Sequence, residues 1–322
     1  MKIFYFLSFF LVIILLGGCS GGNHDVIEPD YSVGKSFAPA GVVLVSSDGK
    51  VLEGSSGGHS LKFRAGSAGV YIDGIPLIMP DAAVLSPENV WDISAVSASA
   101  FISPVVKKVQ PEIRRILIDP GHGGRDNGAL SVHRVKEKDL NLLLAHSVAN
   151  ELRRAGFEVF LTRSDDRYLM LDERPEMIRK YRADLFVSIH HNSAGNLGAA
   201  GLEIFVLNPQ TPEEENLTAR SIYTAFLLYK DLYPANTFPG RGVKAARFKV
   251  LRQASCPAIL VEAGFLSHPA ESALLGTPYF RREFAVRFAS ALRKTAAAQS
   301  SETVSPAARK PEISSGRPGP EI

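Results

Sequence analysis

Four short stretches carry side chains able to do hydrolytic chemistry. They are Ile116-Leu-Ile-Asp-Pro-Gly-His122-Gly-Gly, Lys136-Glu137-Lys-Asp-Leu-Asn-Leu142, Val187-Ser-Ile-His190-His-Asn-Ser193 and Leu260-Val-Glu262-Ala-Gly-Phe-Leu-Ser-His268. Two imidazoles and one carboxylate can hold Zn2+ and leave a fourth position for water. A second carboxylate beside them can move protons.

These groups work together only if the chain brings them to one place. His122 follows the strand-like run Ile116–Ile118, His190 closes Leu185–Ile189 and Glu262 closes Ala258–Val261. Ligands gather outside the carboxyl ends of strands in an open α/β sheet, so three separate segments deliver polar groups to one edge. Glu137 opens a helix predicted over Asp139–Ala155 and comes within reach of that edge. Leu140, Leu143, Leu144, Ser147, Val148 and Leu152 fall on one stripe of this helix. Gly121, Gly123 and Gly124 let the backbone turn sharply around His122.

From Arg115 onward, strand-like and helix-like segments alternate. A strand over Phe157–Leu161 precedes a helix near 173–182, a strand over Leu202–Leu207, a helix near 214–231, strands near 249–251 and 258–262, and a last helix near 279–296. This pattern predicts an α/β fold, with a mostly parallel sheet covered by helices on both faces in a three-layer sandwich. Residues 42–110 read instead as a small β-rich module that precedes it. Asp48-Gly49 and Asp73-Gly74 stand between apolar runs, a hairpin signal because type I′ turns need positive φ at both central positions. The Tyr-Ile-Asp-Gly-Ile-Pro-Leu pattern resembles small β modules of copper amine oxidase-like and wall-associated proteins, which implies a spacer or wall-binding role; His59 reads as a loop residue. The catalytic domain is expected over 111–297. Residues 298–322 lack apolar periodicity and are predicted not to fold.

With 322 residues and 45% apolar side chains, the chain can bury a large core. A formal charge of +3 gives no argument for nucleic acid as a partner. Lys2 followed by an apolar run from Ile3 to Leu16 reads as a signal peptide over 1–18, too short for a membrane span. Leu16-Gly-Gly-Cys19 resembles a bacterial lipobox. That likeness implies lipidation of Cys19, a membrane attachment through it, and a tether over 19–41. Ser20 resembles the signal for the outer membrane of two-membrane bacteria, so the expected location is the cell envelope, on the periplasmic face of that membrane. Cys256 then remains alone and reads as a packed small residue.

The ordered set Asp-Pro-Gly-His-Gly-Gly, Glu-Lys-Asp-Leu-Asn-Leu, Leu-Thr-Arg-Ser-Asp-Asp, Phe-Val-Ser-Ile-His, Arg-Gly-Val-Lys, Val-Leu-Arg and Leu-Val-Glu-Ala-Gly-Phe-Leu-Ser resembles the zinc-dependent N-acetylmuramoyl-L-alanine amidases of the type 3 family. The likeness covers roughly 113–296. It implies Zn2+ held by His122, Glu137 and His190, with Glu262 as the catalytic carboxylate. The implied substrate is peptidoglycan, and the implied bond is the amide between the muramic acid lactyl group and the L-alanine of the stem peptide. The chemistry fits those residue types, since amide hydrolysis needs a polarised carbonyl, an activated water and a protonated leaving amine.

His191 departs from the family, which usually has a small residue there. Neighbours in extended chain point to opposite sides, so His190 is expected to face the metal and His191 to line the substrate groove or be solvated. His133 reads as loop, His146 as structural, and His268 as a replacement for the family's usual asparagine. Two rivals remain at this point. A zinc carboxypeptidase-like peptidase would want an arginine pocket, for which Arg125, Arg241 and Arg247 are candidates; the other is a non-catalytic wall-binding lipoprotein. Some family members plug the metal with an extra helix before the Arg-Gly-Val-like segment. Here Asn208 to Gly240 has room for one helix, so no obligate activator is expected, and the segment from Pro111 to Ala297 is expected to act alone.

Overall fold

A computed structural model describes residues 31–233 and 238–302, with side chains as far as Lys294. The expected signal peptide, Cys19, most of the tether and the tail beyond Glu302 lie outside the described residues.

The α/β half is built on β9 (Arg115–Pro120), β10 (Glu158–Leu161), β11 (Leu185–Asn192) and β14 (Ala258–Phe265), which pair in parallel in the order β10-β9-β11-β14. Successive residues of these strands feed two different cores. Ile116, Ile118, Leu185, Val187, Ile189, Ile259 and Val261 enter one, covered by α2 (Glu137–Arg154), α4 (Pro212–Leu232) and α7 (Pro278–Glu302). Leu117, Phe186, Ala258 and Leu260 enter the other, under α3 (Glu173–Tyr181) and α5 (Lys249–Arg252). Burial on both faces explains why these strands read as continuous apolar runs. The expected three layers are present.

Two details differ from expectation. Residues 249–251 form part of α5 rather than a strand, because Val250 and Leu251 are both buried in the same core; adjacent strand residues would have pointed to opposite faces. The strand of this region is β13 (Val243–Ala246), parallel to β12 (Glu203–Leu207), and β12 runs antiparallel to β14. On α2, Leu140, Leu144, Val148 and Leu152 are buried as expected, but Leu143 faces solvent. The last helix, α7, continues past Ala297 to Glu302.

The amino-terminal region extends the same sheet. After β1 (Ser32–Val33) come β2 (Val43–Ser47), β3 (Val51–Ser56), β4 (His59–Arg64), β5 (Gly69–Ile72) and β6 (Ile75–Ile78). They form an antiparallel meander, and β6 pairs in parallel with β13, giving eleven strands in the order β10-β9-β11-β14-β12-β13-β6-β5-β4-β3-β2. The β5–β6 turn is the expected one: Asp73 and Gly74 take φ of 50° and 80°. His59 opens β4 instead of lying in a loop, with Nδ1 2.7 Å from Asp73 Oδ2. A small second sheet joins β1 with β7 (Val84–Leu85) and β8 (Val90–Asp92). A π-helical stretch, Ser97–Ile102, then leads into α1 (Ser103–Val106), and both pack on α4. Phe101, Ile102 and Val105 thereby join the core that also holds Ile222 and Phe226 of α4, and Trp91 of β8 belongs to the same core.

Candidate metal centre

The carboxyl ends of β9, β11 and β14 meet the start of α2. His122 lies in the turn after β9 with φ of 61°, a left-handed conformation uncommon for residues other than glycine. A Cβ on Gly121 would stand 2.1 Å from His190 Cε1, so glycine at 121 is what lets the two histidine segments close on one another. His190 lies beside Glu262 in the β11–β14 register.

His122, Glu137 and His190 offer ligand atoms that all lie within 4.8 Å of one another, the one such cluster among the described residues. Glu137 Oε2 stands 3.1 Å from His122 Nε2, and Oε1 stands 2.9 Å from His190 Nδ1. His122 Nδ1 is engaged by Asp126 Oδ2 at 2.8 Å, which turns Nε2 toward the cluster. Glu137 Oε2 also accepts from the Ala129 N–H at 2.9 Å. Burial works against charge on Glu137, but hydrogen bonds from His122 and His190 outweigh it and hold the carboxyl far below its ordinary range. His122 answers in the opposite sense: burial lowers it, and Glu137 and Asp126 more than restore it.

Glu262 differs from Glu137. Its Oε2 is buried and has no hydrogen-bond partner. Burial, then the charges of Glu137 and Glu203, push this carboxyl well above its ordinary value. Glu203 sits opposite Glu262 in the β12–β14 register and is held by Arg241 Nε, Lys244 Nζ at 2.7 Å and Asn192 Nδ2 at 3.2 Å. The cluster opens on a cleft of about 380 Å³, lined by His122, His190 and Glu262 together with Tyr168, Leu169, Leu171 and Phe248. Two nitrogen ligands, one deprotonated carboxylate and an unpartnered acid facing a cleft fit a Zn2+ site with an open position.

A buried polar framework holds the His122 turn. Arg174 pairs with Asp119 at 2.6 Å and donates to the carbonyls of Pro120 and His122 at 3.0 and 2.9 Å. Arg163 donates to the carbonyls of Pro120, Gly121 and Lys138, each at 2.9 Å. Thr162 and Ser188 hydroxyls complete Asp119 at 2.6 and 2.9 Å. Sequence reasoning missed this framework. Arg163 falls in the Leu-Thr-Arg-Ser-Asp-Asp stretch, but no local pattern there reports a guanidinium buried against carbonyls 25 to 43 residues away.

His191 is also placed otherwise than expected. It neither lines the cleft nor meets solvent; it is buried under α2, with Nδ1 2.7 Å from Asn141 Oδ1. Burial brings its pKa down to about 4, so the ring is neutral. His133 is in a loop against the Pro269 carbonyl at 3.1 Å, and His146 of α2 meets the Ser164 carbonyl at 3.1 Å. His268 caps α6 (Pro269–Leu275), accepting from the Glu271 N–H at 3.2 Å. The three candidate arginines have separate settings: Arg241 pairs with Glu203, Arg247 with Glu214, and Arg125 lies 4.2 Å above the Tyr168 ring.

Residues 116–294 match the family Amidase_3, N-acetylmuramoyl-L-alanine amidase. The chain belongs to this family. AmiC of Neisseria meningitidis is 34% identical over 215 residues, which are 56% of this chain and 52% of that protein. AmiA of Escherichia coli K12 is 32% identical over 213 residues, 55% of this chain and 74% of that one. The chain thus spans about half the length of the Neisseria relative. Among solved structures, the catalytic domain of CwlV from Bacillus (Paenibacillus) polymyxa is similar at TM-score 0.50 and 33% identity, covering 56% of this chain and 97% of that domain. An amidase of Clostridium difficile 630 is similar at TM-score 0.51 and 31% identity, covering 57% and 96%. The matched segment runs from β9 into α7 and holds His122, Glu137, His190 and Glu262. It is an Amidase_3 domain, of the family described as N-acetylmuramoyl-L-alanine amidase.

Proposed function

We propose that the protein is a zinc-dependent peptidoglycan amidase that cleaves the amide joining the muramic acid lactyl group to L-alanine. The observation that carries this reading is the convergence of His122, Glu137 and His190 beside the unpartnered Glu262 Oε2. Zn2+ held by those three residues would supply a Lewis acid toward the amide carbonyl and toward water. Glu262 accepts the proton of the attacking water and returns it to the departing amine. Burial and the neighbouring carboxylates favour its protonated form, which is the form it takes between those two transfers. Asp126 keeps the His122 ring in one orientation, and Arg163 and Arg174 keep its backbone in place. Tyr168, Leu169, Leu171 and Phe248 give the cleft an apolar lining beside the cluster.

The family match supports the amidase over a zinc carboxypeptidase, as does the engagement of Arg241 and Arg247 with carboxylates. We place the enzyme in the cell envelope, attached to a membrane by lipid on Cys19. No helix among the described residues is long and apolar enough to cross a membrane. We also propose that no activator is required: among the described residues, α4 is the helix found between β12 and β13, and its Ile222 and Phe226 are spent in the core. The test is to incubate the full chain with purified sacculi and count the amino termini released. Release of L-alanine amino termini that chelator stops and Zn2+ restores is the expected result. Release of D-alanine alone would mean a carboxypeptidase, and no release at all would mean a binding protein.

A further inference from the structure

We propose that His191 and Asn141 form a buried brace that fixes the Glu137 carboxylate for metal binding, making His191 a positioning residue that coordinates nothing itself. This rests on reading His122, Glu137 and His190 as the metal ligands. The brace is sealed from solvent: His191 is 2% exposed, Asn141 0% and Glu137 5%.

Its hydrogen-bond polarity is fully determined. Asn141 Nδ2 stands 3.1 Å from Glu137 Oε1 and 3.2 Å from the Gly121 carbonyl oxygen. Both are acceptors only, so the amide nitrogen must face them and spends one hydrogen on each. The amide oxygen therefore faces His191 Nδ1, 2.7 Å away, and that nitrogen must carry the ring proton. The main-chain N–H of His191 donates to the same Glu137 Oε1 at 3.3 Å. One histidine thus grips one carboxylate oxygen by two routes, through its backbone directly and through its ring by way of Asn141.

The brace also spans the three segments that bear the ligands. Gly121 precedes His122, Asn141 lies one helical turn after Glu137 on α2, and His191 follows His190 on β11. A single amide side chain therefore ties β9, α2 and β11 together at the level of the ligands. Leaving any member unpaired would strand a buried polar group, and outer partners of this kind set ligand orientation.

The experiment measures Zn2+ affinity of the full chain by chelator competition, together with the visible absorption of the Co2+-loaded protein, for wild type, His191→Leu, His191→Asn, His191→Gln and Asn141→Leu. Asparagine sets its amide nitrogen near the place of Nδ1, whereas glutamine reaches toward that of Nε2. We expect His191→Leu to weaken Zn2+ binding on the order of 10- to 100-fold and to shift the Co2+ spectrum. His191→Asn should stay within about 3-fold of wild type while His191→Gln resembles the leucine variant. The double variant with Asn141→Leu should bind no worse than Asn141→Leu alone, because the two act in series. A folded His191→Leu protein with wild-type affinity and spectrum would overturn the brace. Equal affinity of the asparagine and glutamine variants, both folded by circular dichroism, would overturn it as well, and that comparison stands even if leucine prevents folding. Wild-type protein that binds no Zn2+ would bring down the ligand assignment itself; wild type that binds Zn2+ and cleaves no amide would bring down only the activity.

Discussion

Glu262 and Glu137 are carboxylates in one site with opposite tendencies, and pH separates them. The folded state holds a proton on Glu262 above the ordinary carboxyl range, first because it is buried and then because Glu137 and Glu203 stand nearby. Its contribution to stability is therefore full at low pH and is lost as pH rises through that raised value. Glu262→Gln removes the loss. The metal-free full chain should then melt higher than wild type above neutral pH and level with it near pH 4, while amide cleavage falls by on the order of 10²-fold or more. A variant that melts lower at pH 8, or turns over normally with its metal bound, contradicts the role given to this residue. Cys256 is a simpler case: burial pushes its thiol up to about 12, so it is uncharged at every physiological pH. Thiol reagents at pH 8 should leave the native protein unlabelled at this position and react once it is unfolded; mass measurement after trapping tells which.

At the scale of elements, the turn after β9 depends on two buried guanidiniums with one carboxylate between strands, Asp119. Replacing Asp119 by alanine leaves Arg174 charged and unpaired beside Arg163. A loss of about 3–5 kcal/mol in urea unfolding is expected; a loss under about 1 kcal/mol would mean that Arg174 finds water or another acceptor. The sequence made His122, Glu137, His190 and Glu262 legible because each sits where a run of one periodicity ends or begins, and such ends are read from local pattern. Asp119, Arg163 and Arg174 were not, since a buried ion pair is defined by partners 40 or more residues apart that no local period reports. His191 shows the same limit. Alternation along β11 correctly sends it away from His190, but what lies on that other side is α2, whose Asn141 is supplied by a different part of the chain. Val250 and Leu251 misled for a local reason, because a short apolar pair fits a strand and a helical turn equally well.

For the whole molecule, the shared sheet changes what truncation should do. A cut before Pro111 removes β6 from β13 and strips Trp91, Phe101, Ile102 and Val105 from the core under α4. Each such side chain contributes roughly 1.5–3 kcal/mol when buried. The segment 111–322 should melt roughly 10 °C or more below the full chain, or aggregate when expressed alone. Equal melting temperatures would show that the amino-terminal strands lean on the sheet without supporting it. The segment from Pro111 to Ala297, expected to act alone, would have to do so without that support: the hairpins at Asp48-Gly49 and Asp73-Gly74 were legible from their turns, but the junction to β13 is a long-range pairing that no turn residue announces.

Seven strand spacings lie between β14, which carries Glu262, and β2 at the far edge. At about 4.8 Å each they set the two roughly 34 Å apart. Hydrogen bonding is continuous across that span, so the amino-terminal strands serve as a strut and the active centre has no hinge of its own along the sheet. Spin labels at Val45 and Leu171, both more than half exposed, should give one narrow distance distribution rather than the broad one of two tethered bodies. The enzyme would then reach its substrate at a fixed offset from wherever its amino-terminal strands are held, and the separation between anchoring surface and cleavable bond becomes a matter of geometry set by the width of one sheet.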